Sequence, residues 1–261
     1  WYLVLKGYPT QKEGQRDRMQ AEIEFLRYAA QVAPGRVPKL IHVDHDRRCV
    51  VLEYIEGCAY PEGASPTKKD VQTATDFFWE LNSDLKFAKN LIHLDAAEGF
   101  LSLRQHMANT RDRLAAMGTN HLPNDTRFEA EHILNKIRDQ AHGAEGQLEE
   151  QICSGAVKDS LDPSHRCISP SDFGFHNAIC TSKGVRFIDF EFAGWDDPAK
   201  TFADFALQPR VPILSTMPSL ISSLNQKKNG FDFERYKLLG AILQTKWSCI
   251  MLGLLRPKRM E

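Results

Sequence analysis

The stretch Ser169-Pro170-Ser171-Asp172-Phe173-Gly174-Phe175-His176-Asn177, followed by Val185-Arg186-Phe187-Ile188-Asp189-Phe190-Glu191, decides how this chain is read. It sets an Asp, then an Asn five residues on, then an apolar strand that ends in a second Asp. A short loop keeps Asp172 and Asn177 near each other, and a hairpin return carries Asp189 back to the same point. These are the parts that phosphoryl transfer needs. One carboxylate orients an attacking hydroxyl and takes its proton, while an amide oxygen and a second carboxylate hold Mg²⁺ against the phosphates. Mg²⁺ takes oxygen ligands and keeps several waters, so few protein ligands suffice. An isolated Asp-x4-Asn is common, and such residues also serve turns. It is the joined order that makes the pattern specific.

Upstream, residues Trp1 to Lys6 alternate as a strand, with Tyr2, Val4 and Lys6 on one face. Met19, Ile23, Leu26 and Ala30 follow at helical spacing, and Pro34-Gly35 ends that helix. Lys39–Val43 and Cys49–Tyr54 read as strands joined by a hairpin loop from Asp44 to Arg48. Glu56-Gly57 breaks the second strand. From Thr67, an N-cap with Asp70 three residues later, the chain is mainly helical. Leu101–Met117 and Phe128–Cys153 read as helices, with one β patch at Ile168–Asp189. The last helix runs from about Asp232 to Leu255. The fold class is therefore α+β, with a small β-rich lobe over residues 1–57 and a larger helical lobe over 58–261.

With 261 residues, 42% of them hydrophobic and 26% charged, the chain is long enough for a sizeable core. Its net charge of −1 gives no case for nucleic acid or a membrane surface as partner. Cysteines 49, 58, 153, 167, 180 and 249 show no zinc-type spacing and read as reduced thiols of a cytoplasmic protein. No apolar run approaches the roughly 20 residues needed to span a bilayer.

The quoted blocks resemble the aminoglycoside phosphotransferase / choline kinase family, whose pattern is close to H-x-D-x-x-x-x-N and then an apolar strand with I-D-[FW]. Gly194-Trp195-Asp196-Asp197-Pro198 looks like that family's G-x-x-D-P turn. The resemblance runs from Lys6 to about Asp204. It implies a protein-kinase-like fold with Mg-ATP between two lobes and a small-molecule hydroxyl as acceptor. Asp172 matches the catalytic base, Asn177 the metal-binding amide and Asp189 the main metal carboxylate. Lys6 matches the strand lysine that meets the α- and β-phosphates and pairs with a helix glutamate. Glu22 is the expected partner and Glu24 the substitute; in the contrary reading Glu22 pairs with Arg18 on the surface. Glu53, Tyr54 and Ile55 match the hinge whose backbone meets the adenine edge. His176 is expected to make a local hydrogen bond, and Asp197-Pro198 to start a helix.

The chain departs from the pattern in three places. It opens on the Lys6 strand, so the first strands of the small lobe and the loop that covers the phosphates are expected either to precede Trp1, outside this sequence, or to be lacking, and the absence of an initiator Met favours the first. Pro170 stands where the family has His, and Thr201 where it often has Asp. Intact Asp172, Asn177 and Asp189 favour an active small-molecule kinase. The rival is a pseudokinase-like nucleotide-binding or scaffold protein, and protein kinase activity is a weaker third reading. Beyond Asp204, basic residues at 210, 227, 228, 235, 237, 246, 256, 258 and 259 outnumber acidic ones. That bias favours a sugar, polyol or related metabolite over a polycationic aminoglycoside as acceptor.

Overall fold

The computed structural model describes residues 2–226 and 231–256. They group into two compact units: Trp1–Gly99 with Ser164–Phe231, and Phe100–Pro163 with Asp232–Glu261. Trp1, Lys227, Lys228, Lys258 and Arg259, which entered the sequence reading, lie outside the described residues.

The first unit begins with β1 (Leu3–Gly7), α1 (Arg18–Val32), β2 (Leu40–Asp44) and β3 (Cys49–Glu53). Strands pair antiparallel in the order β1-β3-β2, with Lys6 opposite Val50. The β2–β3 turn is fixed by Asp44, whose carboxylate accepts from the Arg47 N–H at 2.9 Å. α1 starts at an Asp17 cap that accepts from the Gln20 N–H at 3.2 Å. Met19, Ile23 and Leu26 are buried as expected, but Ala30 is exposed and Ala29 takes its place. A helical stripe alternates between steps of three and four residues, and here the last step is three.

The chain continues through β4 (Cys58–Ala59), α2 (Lys68–Leu81) and α3 (Leu85–Leu91). Thr67 and Asp70 form a reciprocal capping box at the start of α2. The short α3 carries too few turns to show a period, and sequence reasoning passed it over. After Ser164 come β5 (Cys167–Ser169), β6 (Ala178–Thr181), β7 (Gly184–Phe187) and β8 (Gly194–Asp196). They form sheets β4-β6-β7 and β5-β8. Gly194-Trp195-Asp196, read as a turn, is thus a strand on β5. At Gly194 a Cβ would lie 2.4 Å from the Leu94 carbonyl oxygen, so only glycine admits this close approach. α6 (Pro198–Leu207) starts as expected, with the Asp197 carboxylate accepting from the Ala199 N–H at 2.8 Å. α7 (Met217–Gln226) packs on α2. Beneath the β6–β7 hairpin lies an aromatic core. Phe77 stacks on Phe187 at 4.9 Å between ring centroids, and Phe173 on Phe205 at 4.8 Å.

The second unit is helical: α4 (Leu103–Ala115) and α5 (Asn124–Cys153) both pack on α8 (Phe233–Met251). α5 begins four residues before Phe128, whose ring is exposed and marks no core stripe. Arg235 is buried and donates to the carbonyls of Leu101, Lys158 and Asp159. Lys246 is buried as well. These two basic residues are therefore held inside the helical unit, where helix packing rather than solvent surrounds them. Among the described residues no helix is long and apolar enough to cross a membrane.

Candidate active site

The Lys6 ammonium on β1 lies 2.5 Å from Glu22 Oε2 and 2.5 Å from Asp189 Oδ1, and 3.8 Å from Glu191 Oε2. Glu22 is 1% exposed. A carboxylate so buried needs partners, and it has two more: the Tyr8 hydroxyl at 2.6 Å and the Phe190 N–H at 3.3 Å. Arg18, the other partner considered for Glu22, pairs with Glu191 at 3.0 Å. Glu24, the substitute, accepts from the His93 N–H at 3.0 Å. Burial alone would depress the Lys6 pKa, but Glu22 and Asp189 outweigh it and hold the ammonium above its ordinary value.

The loop after β5 carries Asp172. Ser171 has a left-handed φ of 65°, a costly conformation for a residue other than glycine. A chain of hydroxyls supports it. The Ser171 N–H donates to Ser169 Oγ at 3.0 Å, and Thr201 Oγ1 lies 2.9 Å from Ser169 Oγ and 3.1 Å from the Asp197 carbonyl. Ser169 and Thr201 are fully buried. Thr201, one of the departures from the family pattern, is thus joined to the loop that contains the other, Pro170.

The Asp172 carboxylate is held on both oxygens. Asn177 Nδ2 donates to Oδ2 at 3.0 Å and to the Asp172 carbonyl at 3.0 Å. Both partners are acceptors, so the amide nitrogen faces Asp172 and the amide oxygen is the atom left to meet a cation. His176 Nε2 meets Oδ1 at 3.1 Å. The His176 ring is 7% exposed, and its Nδ1 is buried with no hydrogen-bond partner. The proton therefore sits on Nε2 and points at Asp172. Burial pushes the Asp172 carboxyl up, but His176 and Asn177 outweigh burial and hold it below the usual carboxylate range.

β6 and β7 return the chain, and the Ile188 N–H donates to the Asn177 carbonyl at 2.9 Å. That bond sets Asp189, itself at a left-handed φ of 66°, beside the loop. A cavity of about 310 Å³ adjoins it, lined by the apolar side chains of Val4, Leu52, Ile179 and Ile188 and by the charged Lys6 and Asp189. Glu53, Tyr54 and Ile55 line it as well. The Glu53 side chain is gripped by Arg186 at 2.9 and 2.8 Å, which lowers its carboxyl to about 2. Its N–H donates to the Lys39 carbonyl at 2.9 Å and is thereby engaged within the sheet.

Asn177 and Asp189 offer an amide and a carboxylate oxygen, which is the donor chemistry Mg²⁺ takes when substrate phosphates and waters complete its shell. Among the described residues no group of three His, Cys, Asp or Glu side chains is arranged to hold a metal. Sequence reasoning missed three supporting residues. Arg16 donates to the carbonyls of Asp95, Glu191 and Ala193. Lys200, 2% exposed, pairs with Asp196 at 2.7 Å and lies 3.7 Å from Asp204. Glu191 links Arg18 to Lys6. Its position two residues after Asp189 was the only available signal; the partners of Arg16 and Lys200 carry none.

No protein-family model matches this chain, and no curated protein matches its sequence. Solved structures do match over nearly its whole length. The AMP-bound complex of a spectinomycin phosphotransferase aligns with a TM-score of 0.62 and 10% identity, over 98% of this chain and 79% of that one. A choline kinase from Streptococcus pneumoniae aligns at 0.59 and 16%, over 96% and 77%. A choline/ethanolamine kinase family protein from Mesorhizobium loti aligns at 0.58 and 17%, over 99% and 76%. The chain therefore has the protein-kinase-like fold that choline/ethanolamine kinases and aminoglycoside phosphotransferases share.

Proposed function

We propose that this protein is an ATP-dependent phosphotransferase that moves the γ-phosphoryl group of ATP to a hydroxyl of a small molecule. One observation carries the reading. Lys6 bridges Glu22 and Asp189 in the lining of a largely apolar cavity, and the Asp189 hairpin is bonded to Asn177, the residue that grips Asp172.

In this reading the apolar walls take the adenine, whose edge meets the backbone of Glu53 to Ile55. Lys6, kept charged by Glu22, steers the phosphates. Asn177 and Asp189 hold Mg²⁺, which when bound neutralises charge on the phosphates. Asp172 is ionised at neutral pH, as its lowered pKa requires, and takes the proton of the acceptor hydroxyl. His176 and Asn177 fix the carboxylate so that the orientation it imposes on the attacking hydroxyl is set beforehand.

A sugar, polyol or related neutral metabolite is the acceptor class we favour. Two buried carboxylates, Asp196 and Asp204, share the Lys200 ammonium, and Asp204 is near enough to Asp172 to act on its charge. A pocket for a polycation would need acidic groups not already engaged in this way.

The test is thermal stability with and without Mg-ATP. A ligand at about 100 times its Kd stabilises a fold by about 2.7 kcal/mol. Wild type should gain several degrees and Asp189→Ala should gain none. An acceptor screen follows, with Asp172→Asn as the control that binds nucleotide but does not turn over. No response in wild type would defeat the proposal at its first step.

A further inference from the structure

Cys58 and Cys180 stand directly opposite each other on neighbouring antiparallel strands, β4 and β6, and both are exposed. Directly opposed residues of an antiparallel pair project from the same face, with Cβ atoms about 4.5–5.5 Å apart. A disulfide joins Cα atoms about 4.4–6.8 Å apart and Cβ atoms about 3.5–4.5 Å apart, so the Cα spacing of opposed pairs fits and the Cβ atoms draw together by about 1 Å on closure. The register is pinned by the residue before Cys58. Gly57 has a φ of +159°, and a Cβ there would lie 2.4 Å from the Cys180 carbonyl oxygen. A slip by one residue would drive a side chain into that backbone. Among the described residues no other cysteine shares this relation: Cys49 faces Gly7 and Asp44 across its sheet, Cys167 faces Asp196, Cys249 is buried, and Cys153 ends helix α5.

We propose that Cys58 and Cys180 are a redox-modifiable dithiol that closes into a reversible cross-strand disulfide. The oxidant class is a hydroperoxide. The thiolate of one cysteine attacks a peroxide oxygen, forming a sulfenic acid and releasing water or alcohol. The second thiol then displaces water from that sulfur and forms the S–S bond. The two cysteines together lose two electrons, which the peroxide gains.

The position of the bond gives it a consequence. Cys58 lies three residues after Ile55, and Cys180 directly follows Ile179; both isoleucines line the 310 Å³ cavity. Cys180 also lies three residues after Asn177, on the strand that leaves the catalytic loop. A covalent tie at this point joins the hinge wall of the cavity to its hairpin wall and restrains their separation. Oxidation then slows nucleotide exchange. This second step rests on the nucleotide reading of the cavity, whereas formation of the disulfide does not.

The experiment treats the reduced full chain with hydrogen peroxide, alkylates the remaining thiols with N-ethylmaleimide and maps the peptides by mass. The expected product is a Cys58–Cys180 linked peptide that dithiothreitol releases, absent from Cys58→Ser and Cys180→Ser. Sulfinic or sulfonic acid at either thiol with no linked peptide overturns the proposal, as does a bridge from either cysteine to Cys49 or Cys153. The second readout is dissociation of a fluorescent ATP analogue. Release should be several-fold slower after oxidation of wild type and unchanged in both variants. A linked peptide with unchanged release overturns the regulatory consequence. An analogue that fails to bind the reduced protein counts against the proposed function and leaves the disulfide result standing.

Discussion

His176 Nε2 and Asp172 Oδ1 are 3.1 Å apart, and the imidazole that makes this contact is almost wholly buried with its other nitrogen unbonded. A ring that gives up one hydrogen bond in order to make another is being used to aim its partner. His176→Ala should lower kcat about 10- to 100-fold, the range that a small misplacement of a reacting group produces. KM for ATP should change little, and His176→Gln should recover part of the loss by restoring a donor. Steady-state kinetics of the three proteins separate this outcome from a general loss of fold, which would lower the active fraction and spare per-site kcat.

The Lys6–Glu22 pair gives a stability prediction. Glu22 is 1% exposed and Lys6 is partly buried. Lys6→Met removes the cation and leaves the carboxylate with only the Tyr8 hydroxyl and the Phe190 N–H. Removing one partner of a buried pair is costly because the other charge is stranded; about 2–3 kcal/mol is expected here, below the fully buried limit. Urea unfolding measures it. The double variant Lys6→Met/Glu22→Gln should recover part of that loss, because no stranded charge remains.

Ser169 and Thr201 form one unit with the Ser171 N–H. Ser169→Ala and Thr201→Val should each cost about 1–2 kcal/mol, since each leaves a buried polar group without its partner. The double variant should cost less than the sum, with a coupling of at least ~0.5 kcal/mol. Strict additivity would show that the two hydroxyls act separately. Each single variant should also lower kcat, because Ser171 carries the left-handed turn into Asp172.

Glu53 makes a pH-dependent contribution. Its carboxyl is lowered to about 2 by the Arg186 hydrogen bonds, against an ordinary value of 4.5. A depressed carboxyl stabilises the fold above its unfolded pKa and loses that contribution as pH falls through the folded one. The side chain is 30% exposed, so solvent screening limits the effect to about 1 kcal/mol or less. Wild type should exceed Glu53→Gln in Tm at pH 7, and the gap should narrow steadily from about pH 4.5 towards pH 2.

The Asp172–Asn177 loop and its hairpin were legible because their pattern is local. Asp172 and Asn177 are five residues apart, Asp189 follows on the return strand, and the turn residues between them leave little freedom. Lys6 and Glu22 could be named as a pair because the family resemblance implies a strand lysine braced by a helix glutamate, and the helix period puts Glu22 beside the apolar stripe. The capping box at Thr67 and the Asp197-Pro198 helix start were legible for the same reason, since each is completed within three residues. Ala30 was misplaced for Ala29 because periodicity fixes a stripe only to within one residue at its end.

What the sequence by itself determined is the order of the parts: a lysine strand, a glutamate helix, an Asp-x4-Asn loop and a carboxylate after a hairpin. Only the tertiary structure decided what braces them. Thr201 meets Ser169 across 32 positions, Arg16 reaches the carbonyls of Asp95 and Ala193, and Cys58 faces Cys180 across 122. None of these contacts has a repeat or a spacing. Each depends on how separate elements pack, and buried polar groups take their partners from whatever segment packing brings to them.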